Sequence, residues 1–275
     1  MKKLFFTLGC FLVLVSALAQ SGKYGKNSIG ISLGWQKLKF LDELASPLSY
    51  KATASPFAGI NYTHNGSHSY VKLGISGGLG SADPDRFGAR DYLVHWSDKD
   101  SFQYRISSMF ASAHLEATYL RKLNPASTGA WAYWLGGTFN DQAYYADEVA
   151  NMPWVANAAE FSPSFKMDYQ PGSRHLLSLK IDLAGVALFS RSVYGLFAKS
   201  NKESNVTSLL KQGTRLTSVH EYQKVNVELT YNCHLSSRMA LGGTYALKWL
   251  HYSYPQSLRA ADSRFHLNVN YTLHP

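Results

Sequence analysis

The chain has 275 residues, 45% of them hydrophobic and 14% aromatic, and its 27 Lys and Arg outnumber 18 Asp and Glu for a formal charge of +9. Beyond the N-terminus no run of about 18 apolar residues occurs, which excludes a helical membrane span. The cations are dispersed rather than striped along one element, which argues against a nucleic-acid partner. Cys10 and Cys233 alone make no disulfide framework.

Lys2 and Lys3 precede an apolar run, Leu4 to Val15, followed by Ser16-Ala17-Leu18-Ala19-Gln20. That is the charged, apolar and small-x-small order of a cleaved export leader. Residues 1–19 therefore read as signal peptide and 20–275 as the mature domain. Cys10 leaves with the leader, so Cys233 has no partner to bond. An exported chain without disulfides leans on its backbone ladder, and a closed barrel gives that ladder no open edge.

From there the signal is alternation with period 2, which places successive side chains on opposite faces of a strand. Strands are expected near 28–37, 55–63, 68–79, 102–121, 129–140, 157–169 and 177–183. Gly30, Gly34, Gly59, Gly74, Gly78, Gly136 and Gly242 fall mainly on the inward side. Near 225–233, Val225, Val227, Leu229, Tyr231 and Cys233 alternate with Asn226, Glu228, Thr230 and Asn232. Near 239–249, Met239, Leu241, Tyr245, Leu247 and Trp249 share one face. The last strand sets Phe265, Leu267, Val269, Tyr271 and Leu273 against His266, Asn268, Asn270 and Thr272.

Short turns at 64–67, 124–128, 170–173 and 234–237 alternate with longer connections near 38–54, 80–101, 141–156, 190–216 and 252–262. Outward aromatics, among them Trp35, Tyr62, Tyr119, Trp131, Tyr169, Tyr231, Trp249 and Tyr271, lie toward strand ends as two girdles. The expected fold is all-β: a transmembrane antiparallel up-and-down β-barrel of about ten strands, with eight as the alternative. Short periplasmic turns and long extracellular loops complete the pattern.

The leader ending Ala17-Leu18-Ala19, the strand pattern and the terminal strand Phe265 to Leu273 resemble the small outer-membrane β-barrel proteins of Bacteroidota-type envelopes. The resemblance covers the chain from Gln20 onward. It departs at the end, Tyr271-Thr272-Leu273-His274-Pro275, where the commonest barrels finish in Phe or Trp. It implies a cell outer-membrane address and no particular activity.

Charged residues at inward positions form the first candidate site: Lys72, His114, Glu116, Glu160, Lys166, Asp168, Lys180, Asp182, Glu228, Lys248 and His266. Both signs are present, so an ion-paired filling of a narrow lumen is the expected arrangement, with a narrow path for ions or small solutes as the alternative. A second candidate is the basic loop carrying Arg191, Lys199, Lys202, Lys211 and Arg215, suited to lipopolysaccharide phosphates or to a protein partner.

A rim hydrolase is the third possibility. His95, His220 and His251 lie toward the outer side with Asp83, Asp85, Asp91, Asp98, Asp100, Asp141 and Asp147, but no spacing joins a base to its orienting carboxylate. Asp83-Pro84-Asp85 and Asp98-Lys99-Asp100 lack the glycine and bidentate Glu of a calcium loop, and no nucleotide or cofactor motif occurs. The sequence thus points to a non-enzymatic envelope barrel that contacts lipopolysaccharide or a partner in a larger assembly, without metal or cofactor.

Overall fold

The computed structural model describes residues 26–95, 101–106, 108–124, 129–149, 152–172, 174–192, 207, 211 and 213–273. The leader expected at 1–19 lies outside them. Three strands come first: β1 (Lys26–Asp42), β2 (Ser49–Asn65) and β3 (Ser69–Pro84). A separate hairpin of β4 (Arg90–His95) and β5 (Ser101–Ile106) follows, then β6 (Ser108–Lys122), β7 (Trp131–Val149) and β8 (Met152–Tyr169). The last third holds β9 (His175–Leu183), β10 (Val186–Arg191), β11 (Thr214–Ser218), β12 (Tyr222–His234), β13 (Met239–Tyr252) and β14 (Leu258–Thr272).

Every pairing is antiparallel, and β1 pairs with both β2 and β14, so the sheet closes. β9 and β10 run on from one another: Asp182 pairs with Ser164 low on β8, and Val186 with Phe161 above it. β11 and β12 continue one another in the same way, against β10 and β9. The barrel therefore has ten staves, and β4 and β5 stand apart from it. The stagger can be read from the ladder. Starting at Gln36, the cross-strand partners reach Trp154 of β8 through β2, β3, β6 and β7. In the other direction, through β14, β13, β12 and β9, they reach Lys166. An offset of about 12 residues for ten strands tilts the staves by roughly 40°.

The strands run further than the outward apolar alternation suggested. Most of 38–54, 141–156 and 252–262, read from sequence as long connections, belongs to strands, and among the described residues 43–48 and 253–257 join them. The cause is a reversal of polarity within single strands. Along β1, Ile29, Ile31, Leu33 and Trp35 face outward over Ser32 and Gln36; two residues later Lys37 and Lys39 face outward over Leu38 and Phe40. In β14, Phe265, Leu267, Val269 and Tyr271 are outward below, whereas Arg259 is outward above, over buried Leu258. The backbone period never breaks. Only the chemistry assigned to each face is exchanged.

Along most staves the lower section thus has an apolar exterior and a largely polar interior, and the upper section the opposite; Met109, Leu188 and Leu216 stay exposed on the upper exterior, and Tyr70, Leu120 and Trp134 form a small apolar cluster inside the lower end. Leu38, Phe40, Tyr50, Phe110, Trp154, Phe189, Tyr222, Leu250, Tyr252 and Leu258 form one apolar cluster inside the upper barrel. Phe40 and Trp154 stack at 4.2 Å, as do Phe189 and Tyr252 in a tilted arrangement. In β13 the apolar exterior spans Met239 to Trp249, eleven residues. At this tilt that is about 25 Å of height, the thickness of an outer-membrane hydrocarbon band. Close strand contact needs small residues in places: a Cβ at Gly34 would collide with the Phe265 carbonyl oxygen.

Candidate functional site

The eleven inward charges named from sequence all lie on lumen-facing positions, but they divide between two levels. In the lower level Lys180 donates to Glu116 at 2.7 Å and approaches Asp182 at 3.3 Å. Lys72 bridges Glu116 at 3.0 Å and Glu228 at 3.2 Å. Lys166 pairs with Asp168, whose carboxylate also accepts from Trp134 Nε1 at 2.9 Å and from the Ser178 hydroxyl. His266 sits beside this level against the Phe57 ring at 6.4 Å.

The second level lies under the apolar cluster and includes residues the sequence reading missed. Glu160 pairs with Lys224 and accepts from the Tyr222 hydroxyl at 2.5 Å. Asp262 accepts from Gln36 at 3.0 Å, from Gln142 at 3.1 Å and from Tyr144 at 2.8 Å, with Arg264 Nε at 3.8 Å. Lys248 donates to Gln142, and Arg264 donates to His114 Nδ1 at 3.2 Å. Six cations, Lys72, Lys166, Lys180, Lys224, Lys248 and Arg264, therefore meet six carboxylates, Glu116, Glu160, Asp168, Asp182, Glu228 and Asp262. Among the described residues the spanning interior carries no formal net charge. Lys224, Asp262 and Arg264 were legible in principle, since they keep the inward parity of Asn226 and His266 one or two steps beyond the strand ends drawn from sequence.

Above this, space runs out. The apolar cluster encloses a void of only about 20 Å³, lined in part by Tyr144, Trp154, Phe189, Leu250 and Leu258. Below the lower level the lumen widens into a cavity of about 1060 Å³ that reaches the turns around Gly66, Gly129, Gly172 and Ser236. The interior is thus a cup open at the short-turn end.

The basic loop needs correction at Arg191. It is 2% exposed and turns into the barrel, where it pairs with both oxygens of Asp42. It also donates to the carbonyls of Tyr254 at 3.2 Å and Gln256 at 2.7 Å, tying the 253–257 turn across the top. A guanidinium held on all sides offers nothing to an external phosphate. Lys199 and Lys202 lie outside the described residues, and Lys211 is exposed. Arg215 is exposed on β11, bonded to Glu221 at 2.8 Å and stacked over Tyr254 at 4.0 Å.

A different set of cations stands on the outer wall directly above the upper aromatic girdle. Lys39 and Lys51 are cross-strand partners, 57% and 62% exposed; Lys37 lies one step below Lys39, and Arg259 opposite Leu41. Asp85 bridges Lys39, at 2.6 Å, and Lys51, and their ammonium groups hold its carboxyl below the usual carboxylate range. Of the other rim carboxylates, Asp141 accepts from Asn157 at 2.6 Å and Asp147 from Ser108 at 2.7 Å. These three acids therefore serve neighbours other than a histidine. His220 is exposed in a turn and His251 lies beside the Trp249 ring. Among the described residues no group of three His, Cys, Asp or Glu is placed to hold a metal ion.

No protein-family profile and no curated protein matches the chain. Solved structures with a similar course include the outer membrane protease OmpT from Escherichia coli, with TM-score 0.47, 8% identity and coverage of 93% of this chain and 100% of that one. Neisserial surface protein A gives 0.40 and 7% over 91% of this chain and 100% of its own. The translocator domain of autotransporter NalP from Neisseria meningitidis gives 0.35 and 10%, over 96% and 94%. Likenesses at this level carry no activity and no residue roles to this chain.

Proposed function

We propose that the chain is an outer-membrane barrel that conducts no solute and acts as a fixed component of the envelope, holding lipopolysaccharide on its outer wall and serving as an accessory subunit. The observation that carries this reading is the exchange of polarity between the two sections. An apolar exterior about 25 Å high around a charge-balanced interior fits hydrocarbon, and the polar exterior above it, wrapped around an apolar core, fits water. The interior supports the non-conducting reading over a channel, because a permeating ion would have to displace paired side chains and then cross the aromatic cluster.

Lipopolysaccharide contact is better supported on the outer wall than at the loop first considered. Lys37, Lys39, Lys51 and Arg259 stand just above Trp35 and Trp249, at the depth where an outer-leaflet phosphate would lie. Purified protein in lipopolysaccharide-containing bilayers tests both parts. The expected result is no unitary conductance, slower gel mobility after boiling, and weaker lipopolysaccharide retention in the combined K37A, K39A and R259A variant than in K211A with R215A. Discrete conductance, or equal retention by the two variants, would refute the corresponding part.

A further inference from the structure

We propose that the short-turn mouth is a docking site for an acidic, extended peptide segment of a partner protein. The charge of the chain is divided between its ends. The described turns and strand ends at this mouth, 61–72, 118–124, 129–134, 169–172, 174–178 and 230–241, contain no Asp or Glu, but they hold Lys72, Arg121, Lys122, Arg174 and Arg238. Every described acid outside the barrel interior lies toward the opposite end, as Glu43, Asp83, Asp85, Asp141 and Glu221 illustrate. Five cations line the cavity, Lys72, Lys122, Lys166, Arg174 and Lys180. Lys72, Lys166 and Lys180 are already paired with Glu116, Glu228, Asp168 and Asp182, so the excess at the mouth is carried by Lys122 and Arg174, with Arg238 at the rim.

Low-dielectric walls concentrate such a field in a cleft, so the mouth attracts anions from solution. The shape narrows the choice of anion. A volume of about 1060 Å³ stands at the upper edge of the range for small-molecule pockets, and the cavity runs lengthwise down the barrel from mouth to polar floor. Its wall on β2, β12 and β14 presents Asn61, Asn232, Asn268 and Asn270; Asn270 donates to Asn232 and Asn268 to Thr244, and the remaining donor and acceptor capacity of these amides suits the repeating amide groups of a polypeptide. Arg174 and Arg238 are exposed at the rim, and Lys122 lies half-buried over the Trp134 ring at 5.7 Å. Carboxylates entering along the chain axis would meet first the rim cations and then the amides.

Placing this mouth on the periplasmic side rests on the outer-membrane reading; the charge distribution does not. The test is therefore run on the full chain in neutral detergent micelles, where folding is scored separately by the mobility shift on boiling. Fluorescence polarisation would follow a dye-labelled octapeptide of glutamate, with an octapeptide of glutamine as the neutral probe. The acidic peptide is expected to bind at low salt at least about ten-fold more tightly than the neutral one, and to weaken as salt rises. The pair K122Q and R174Q should lose about ten-fold, and R86Q at the other end none. T230W, which fills the cavity without altering charge, should abolish binding.

Equal binding of the two peptides overturns the proposal, as does undiminished binding to T230W, which would mean rim attraction alone. Displacement by inorganic phosphate at concentrations matching the peptide would assign an anion site and not a peptide site. Displacement by phosphatidylglycerol vesicles that K122Q with R174Q no longer binds would assign the cations to lipid. A folded chain that shows the mobility shift and binds the acidic peptide but fails to partition into lipid vesicles would leave this inference standing and remove the membrane reading; binding that persists in a chain without the shift would overturn the inference, since it needs no folded mouth.

Discussion

Removing the guanidinium of Arg191 tests how the upper barrel is closed. In R191A the Asp42 carboxylate keeps its bonds from Trp154 Nε1, at 2.8 Å, and from the Leu44 amide, at 3.0 Å, but loses its only described counter-ion at a site 1% exposed. The carbonyls of Tyr254 and Gln256 lose their donor at the same time. Breaking a buried pair from one side costs about 3–5 kcal/mol, or roughly two to three and a half powers of ten in the unfolding constant. Replacing both partners, as in D42L with R191M, should restore most of that, because the charges are removed together and apolar bulk remains. Urea unfolding in lipid vesicles, followed by tryptophan fluorescence, gives both values. A loss under 1 kcal/mol in R191A, or a double variant no better than the single one, would refute the closure described here.

I31R tests the lipid face: an added cation near the middle of the apolar exterior should cost about 2–4 kcal/mol on the same unfolding scale, whereas K39R, above the girdle, should cost nothing measurable. K180M should destabilise by about 3–5 kcal/mol, because Glu116 and Asp182 both lose that ammonium, and it should still open no conductance in planar bilayers. Asp85, held below the usual carboxylate range, contributes stability above its ordinary titration range and loses it as pH falls through the lowered value. Carboxyl-selective NMR should place its midpoint lower than that of other surface aspartates and raise it in K39A with K51A; an unchanged midpoint would count against the bridge.

Much of the barrel was readable from residue parity alone. Phe265 through Leu273 and Met239 through Trp249 display their lipid-side residues so regularly that facing and hairpin order follow directly. The upper ends are not readable by the same rule, because the outward apolar residues stop before the strands do. Leu38 and Phe40 keep the alternation but sit on the other parity from Ile31 and Leu33, and that switch looks like a loop to any test that asks for one apolar face. Lys224, Asp262 and Arg264 were overlooked for the same reason. Arg191 is a different case: it stands between Ser190 and Ser192 at the start of a stretch that carries further cations from Lys199 on, and only the three-dimensional closure shows that its partner is Asp42, 149 residues away. The Asp85 bridge likewise joins segments whose nearness no local pattern records.

The wall cations also bear on how the molecule reaches its final depth and stays there. Under the proposed outer-membrane reading, Lys37, Lys39, Lys51 and Arg259 belong to the section that ends up in water, so insertion from the short-turn side would carry all four past hydrocarbon, at a cost of about 2–4 kcal/mol for each near the midplane. Insertion and withdrawal would both meet that barrier. The charges would then slow exchange in either direction, making the depth of the barrel a matter of rate as well as of equilibrium.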